Sequence, residues 1–212
     1  MNRGLITFFV AGIATSIFGA EPAQSEGWKL AKQTGGVSIY SRAHPGSKLK
    51  EFKAIGEIDA SSKTVHNVID DVAAYSSFMP YTKECRVIRR EENSIITYQR
   101  LSPKIVSDRD YTIRIQTKSW PAGNGLTYSN RWEQANDEGP PEQPGVFRVK
   151  LCDGSWLLEP LGANKTRATY SVFSDSGINV PVFLANTISE TGITKLFAAV
   201  RKQAKEPKYQ TK

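Results

Sequence analysis

The residues with the most pointed chemistry in this 212-residue chain are Arg109 and the two carboxylates that flank it, Asp108 and Asp110. An arginine entering an apolar sheet face must be paired or lie near an opening. Arg109 therefore has two readings, a structural ion pair with a neighbouring aspartate or a contact to a ligand. Catalysis has less to draw on. His44 sits in a turn and His66 falls, by helical spacing, on the solvent side of its helix, so neither a two-histidine metal site nor a serine/histidine/aspartate set is supplied. No Gly-x-Ser-x-Gly elbow, Gly-x-Gly-x-x-Gly or phosphate loop occurs. Two cysteines, Cys85 and Cys152, exclude a four-cysteine zinc module and a disulfide-built miniprotein.

A second set of residues is defined by alternation. Phe52, Ala54, Tyr111, Ile113, Tyr128, Trp132, Phe147, Val149, Trp156 and Tyr170 fall on one strand face, opposed by Leu184, Ile188, Leu196 and Val200 on a helix. Taken singly, each reads as core. Taken together, several tyrosines and tryptophans on one face bring polar handles that need partners, which suits a pocket. The candidate ligand-binding residues are Arg109, Tyr111, Ile113, Tyr128, Trp132, Phe147, Trp156, Tyr170, Leu184, Ile188 and Leu196, with no catalytic residue, metal ligand or cofactor assigned.

The elements that must position these residues are mostly strands. From Gly36 to about Asp175, period-two segments are broken by turns such as Ala43-His44-Pro45-Gly46 and Pro121-Ala122-Gly123-Asn124-Gly125, the pattern of an antiparallel sheet with one wet and one apolar face. Phe147, Val149 and Leu151 read as one short strand. Two helical stretches interrupt this pattern. Ser61 to Phe78 carries Val65, Val68, Ile69 and Val72 at helical spacing, with Ser61 or Ser62 as N-cap. The other runs from Pro181 to about Lys205, with Leu184, Ala185, Ile188, Gly192, Leu196, Ala199 and Val200 as an apolar stripe. Such a helix packs along the apolar face of a long sheet, and being only about 10–12 Å across it leaves a cavity if the sheet curves.

At the N-terminus, Arg3, the uncharged run Leu5 to Phe18 and the small residues Ala23-Gln24-Ser25 read as a secretory leader over residues 1–25. The run is shorter than the roughly 20 residues that span a bilayer. The expectation is an exported chain, periplasmic or secreted, with a domain over residues 26–205 and a basic tail over 206–212. In an oxidising compartment Cys85 and Cys152 could pair, or each could be a small buried hydrophobe.

The chain resembles the START family, the steroidogenic-acute-regulatory-protein-related lipid-transfer domains of the helix-grip superfamily. The resemblance rests on Ser107-Asp108-Arg109-Asp110-Tyr111, on Gly154-Ser155-Trp156-Leu157-Leu158-Glu159-Pro160 with Lys165 to Tyr170, on Gly177-Ile178-Asn179-Val180-Pro181, and on Val68 to Pro80 with Tyr75 and Phe78-Met79-Pro80. It runs from Gly27-Trp28 to the last helix. It implies an α+β helix-grip fold, a curved antiparallel sheet of about nine strands wrapped on the long C-terminal helix, with one lipid or other apolar small molecule in the tunnel between. It implies no metal, nucleotide or covalent catalysis, although the superfamily's small-molecule cyclases and hydrolases remain the alternative. Some members carry a buried arginine and an acidic partner where Ile115 and Ile96 align here, which implies a less polar cavity. The family's strand order also separates Cys85 from Cys152 by more than a disulfide's span, so both should be free thiols. Trp120-Pro121 falls after the Arg109 strand, where family members carry a gating loop, and reads either as a membrane-inserting edge or as a packed hairpin tip.

The net charge of +7, from 28 basic and 21 acidic residues, is concentrated: six basic residues and one acid between Lys195 and Lys212 give a local +5. No strand bears a basic stripe interleaved with exposed aromatics, so nucleic acid is not the expected partner of what should be a monomer. The basic end is either a docking handle for an anionic membrane or a solvated terminus.

Overall fold

The structure, a computed structural model, describes residues 27–104, 106–123, 125–175 and 182–210, and within these it leaves the side chains of residues 182–185 undescribed. The leader, the motif from Gly177 to Pro181, and Lys212 lie outside the described residues. Ten strands form one sheet: β1 (Lys29–Thr34), β2 (Val37–Ala43), β3 (Lys50–Ile58), β4 (Thr82–Arg90), β5 (Ser94–Leu101), β6 (Arg109–Ala122), β7 (Gly125–Gln134), β8 (Phe147–Arg148), β9 (Leu151–Gly162) and β10 (Lys165–Asp175). Nine of them run in the order β1-β2-β3-β10-β9-β7-β6-β5-β4, each pair antiparallel, while the two-residue β8 lies parallel to β6. The expected antiparallel sheet of about nine strands wrapped on a C-terminal helix is the architecture found. β1 precedes the alternating region read from the sequence, and its mostly exposed residues give no apolar period to find. Phe147 and Leu151 belong to different strands, because the chain turns between Arg148 and Leu151.

The chain leaves β3 in the middle of the sheet and re-enters at the edge as β4, so residues 59–81 must cross one face. They do so in three pieces, α1 (Ser62–Asp70), a 3-10 turn (Val72–Ala74) and α2 (Tyr75–Phe78). The Ser61 hydroxyl caps α1 by accepting from the Thr64 amide at 3.1 Å, and Val65, Val68 and Ile69 turn onto the sheet. Ser62 donates to the Leu126 carbonyl at 2.6 Å and Thr166 to the Ala60 carbonyl at 2.7 Å, which fixes the start of the crossing.

The long helix α3 (Val182–Gln203) grips the same face. Its buried stripe is Ile193, Phe197, Val200 and, just past its end, Ala204, spaced four, three and four residues apart. Phe197 lies flat on β3 because Gly56 has no Cβ; one placed there would come 3.0 Å from the ring. Trp156 packs on the other side of Phe197, with ring centroids 5.3 Å apart. Burying a ring of this size contributes about 3 kcal/mol. Arg201 then donates to the carbonyls of Gly35, Gly36 and Glu57, tying the helix end to the β1–β2 turn and β3.

The opposite face of β4–β7 is polar and paired. Asp110, 1% exposed, accepts from Arg148 Nε at 2.7 Å and Nη2 at 3.1 Å and from the Tyr98 hydroxyl at 3.1 Å. Asp108 is held by Lys83, Arg100 and Ser102, and Glu91 and Glu138 by Arg89 and Arg114.

The terminal segment is not a free tail. α4 (Pro207–Gln210) folds back on α1, with Tyr209 buried, its hydroxyl donating to Asp71 at 3.0 Å and its carbonyl accepting from Asn67 at 3.0 Å. Truncating Tyr209 to alanine should lower unfolding stability by about 3 kcal/mol, read as a fall in denaturation midpoint with unchanged slope. A shift within error would mean that α4 does not dock.

Candidate functional site

Between the helix-bearing face of the sheet and the α1–α3 layer lies a cavity of about 270 Å³, near the lower end of the range for small-molecule pockets. Its walls are built by alternation. Ile95, Gln99 and Leu101 come from β5, Tyr111, Ile113 and Ile115 from β6, Asn130 and Trp132 from β7, Cys152 and Trp156 from β9, and Tyr170, Val172 and Ser174 from β10. The crossing segment adds Ile69, Asp70, Val72, Tyr75 and Met79 to Thr82, and α3 closes the roof with Ser189, Gly192, Ile193 and Leu196. Trp132, Tyr170 and Trp156 form a continuous aromatic floor, with centroid separations of 5.7 Å and 4.8 Å.

Of the residues assigned from sequence, Tyr111, Ile113, Trp132, Trp156, Tyr170 and Leu196 meet on this cavity. Tyr128 lies elsewhere, stacked on His66 with centroids 4.2 Å apart. Phe147 lies beside Arg109 in β8, its ring 5.8 Å from the guanidinium carbon, and Ile188 is half-buried off the cavity wall. The side chain of Leu184 lies outside the described residues. His66 is not on the solvent side of α1: the helix lies close enough over β7 that the imidazole is sandwiched against Tyr128. Trp120-Pro121 falls at the end of β6 and not in the loop after it, at an exposed hairpin tip.

Arg109 makes no ion pair with its neighbours. Alternation sends Asp108 and Asp110 to the outer face, where other cations take them, while Arg109 shares the inner face with Tyr111. Register corrects another expectation. Ile115 lines the cavity, but its cross-strand partner is Ile95, and Ile96 faces outward opposite Arg114. Both inner positions are apolar. Cys85 and Cys152 are free thiols on β4 and β9.

Titration in the cavity runs one way. Burial pushes the phenols of Tyr75, Tyr111 and Tyr170 above their ordinary value and the Cys152 thiol up to about 12. These groups therefore stay neutral at any physiological pH. Polar pairing is sparse: Tyr111 donates to Gln99 at 3.0 Å, Tyr75 to the Ile69 carbonyl at 2.5 Å, and Asn130 Nδ2 to Thr117 at 3.0 Å. Among the described residues no group of three or more His, Cys, Asp or Glu is placed to hold a metal. The one acid among the lining residues is the partly buried Asp70.

Two cavity features escaped the sequence reading. Ile193 falls one position from the assigned stripe. Gly154 matters through its missing side chain: Trp132 lies across it, and a Cβ there would run into the indole and the Ser171 carbonyl. Its place in a strand of tight neighbours was the available signal.

Comparison with known proteins places this geometry among relatives. Residues 58–201 match the family model described as polyketide cyclase / dehydrase and lipid transport. An uncharacterised protein of Pseudomonas aeruginosa is 31% identical over 187 residues, 87% of this chain and 90% of that protein. Mouse phosphatidylcholine transfer protein is 25% identical over 167 residues, 78% of each chain. The crystal structure of a STAR-related lipid transfer protein fragment from Xanthomonas axonopodis superposes with a TM-score of 0.75 at 27% identity, covering 85% of this chain and all of that one.

Gly154→Ala should drive Trp132 off its seat, costing about 1–3 kcal/mol and shifting tryptophan emission; an unchanged spectrum and midpoint would refute the close approach. His66 gives a pH signature. Burial holds its imidazole below the ordinary 6.5, against smaller opposing effects of Asp70 and Asn130. Below about pH 6.5 the unfolded chain takes up a proton that the folded imidazole resists, so stability falls as pH drops. His66→Phe, which keeps the stack on Tyr128, should flatten that decline between about pH 7 and 5, measured by denaturation midpoints; an equal slope in both proteins would assign the decline to other groups.

Proposed function

Because the chain belongs to the polyketide cyclase/dehydrase and lipid transport family, with the START helix-grip architecture, we propose that it is an exported carrier that holds one apolar molecule between the sheet and α3. The observation that carries this reading is the cavity itself: aromatic and aliphatic walls, a floor of Trp132, Tyr170 and Trp156, and phenols and a thiol that burial holds neutral. Such a wall retains a hydrocarbon by burial and offers no thiolate or phenolate to attack it. The relatives named for lipid transfer support the same class of ligand.

The volume narrows the class. A cavity of about 270 Å³ suits one small apolar molecule or a single chain, so a two-chain phospholipid requires α3 to move away from the sheet. Gly192, in the roof, gives that part of the helix little side chain to anchor it.

Export rests on the leader read in residues 1–25. Among the described residues no helix is long and apolar enough to cross a membrane. Delivery would involve brief contact with an anionic membrane through the basic helix end. Arg201 and Lys208 are occupied by backbone carbonyls and Asp71, which leaves Lys195, Lys202 and Lys205 as the exposed charges for that contact among the described residues.

The test is expression with the native leader, cell fractionation, and native mass spectrometry with organic extraction of the purified protein. We expect a periplasmic or secreted form that begins at Glu26 and carries one co-purifying lipid. A chain retained in the cytoplasm would sink export, and a cavity reproducibly empty against a broad lipid panel would sink lipid carriage.

A further inference from the structure

Among the described residues Arg109 is a buried cation without a counter-ion. It is 6% exposed, yet its one hydrogen bond is from Nη1 to the Ser107 carbonyl at 2.6 Å, and its Nε meets no acceptor. The aspartates on either side are spent on the other face, one on Arg100 and Lys83, the other on Arg148. The Phe147 ring, 5.8 Å away, offers only a weak cation-π contact. A guanidinium taken from water and left unmatched is a liability for the fold, because its hydration is lost and no opposite charge replaces it.

Its position gives that liability a use. Arg109 pairs across the sheet with Leu101 and shares its face with Tyr111, two residues on, and both of these line the cavity. Its α-carbon thus stands one step beyond the apolar wall, about 7 Å along the strand from that of Tyr111, although Arg109 does not itself line the cavity. We infer that Arg109 anchors the acidic head, a phosphate or carboxylate, of the lipid whose hydrocarbon fills the cavity. The unmet Nε–H and the remaining guanidinium donors present the planar fork that suits such an oxyanion. The inference rests on the proposed lipid carriage and makes it selective: acidic amphiphiles over uncharged ones of the same chain.

The experiment uses the purified protein, with emission from Trp132 and Trp156 on the cavity floor reporting binding and thermal melting reporting stability. Oleoyl-lysophosphatidic acid is compared with monoolein, which has the same chain and an uncharged head, and with inorganic phosphate alone. The parent should bind the acidic lipid roughly tenfold or more tightly than monoolein, with inorganic phosphate producing no comparable stabilisation. Arg109→Met should bind both lipids with the monoolein affinity, Arg109→Lys should keep part of the preference, and ligand-free Arg109→Met should melt no lower than the parent, because the change removes an uncompensated charge. Equal affinities in the parent would overturn the inference while leaving lipid carriage standing; failure to bind either lipid would remove both. A free-anion site is indicated instead if phosphate alone stabilises as strongly as the lipid. An Arg109→Met protein that misfolds or melts well below the parent would make the arginine structural and equally defeat the proposal.

Discussion

The alternation of side chains along β5 and β6 is the constraint on which the molecule depends. In an unbroken register from Ser94–Gln116 to Leu101–Arg109, every residue faces opposite to its neighbour. One face collects Arg114, Asp110 and Tyr98, the other Tyr111, Ile113 and Ile115. A slip of one residue would exchange the sets, burying carboxylates against α3 and exposing the cavity wall. The buried Asp110–Arg148 pair makes that slip costly. Losing one member of such a pair costs about 3–5 kcal/mol, so it acts as a register pin more than as net stabilisation.

With the register fixed, the cavity follows from where the layers touch and where they do not. α3 reaches the sheet through Phe197 on Gly56 and Val200, and Arg201 clamps its end to backbone carbonyls. One turn earlier the roof is Gly192, Ile193 and Leu196, above the thick aromatic floor of Trp132 and Tyr170. The floor is raised only because Gly154 lets the Trp132 indole lie down on the strand beside it. Two glycines in strands thus do opposite things: Gly56 draws the helix in, and Gly154 shapes the wall below the part that stands off.

Much of this could be read from sequence because strands have a fixed period. Tyr111, Ile113, Trp132, Trp156 and Tyr170 were placed together from parity alone, and the cap was legible as Ser61 or Ser62 from their hydroxyls and the apolar run that follows, the structure choosing Ser61. What was not legible depended on contacts between distant segments. The apolar sector of α3 is wide enough to accept Leu196 or the true centre at Ile193 and Phe197. His66 looked solvent-facing because helical spacing says nothing about how closely α1 lies over β7. Tyr209 looked like tail because its partners, Asp71 and Asn67, lie more than 130 residues away. Ile96 aligns with the acidic partner of the Ile115 position, but the register pairs Ile115 with Ile95, and a shift of one residue puts Ile96 on the other face.

The same separation of faces decides which ionisable groups reach the cavity. General acid–base chemistry at neutral pH needs a group poised near that pH. Here desolvation moves the buried phenols and the Cys152 thiol away from it, and the carboxylates Asp108, Asp110, Glu91 and Glu138 are engaged on the outer face by arginines and a lysine, so that among the described residues Asp70, on the crossing segment, is the acid that lines the cavity. Arg109 is the cation that this sorting leaves on the inner face of β6. A cation with no base beside it can orient an acid, but it cannot move a proton, so its place in the fold fits recognition of one end of a ligand whose other end only needs to be kept dry.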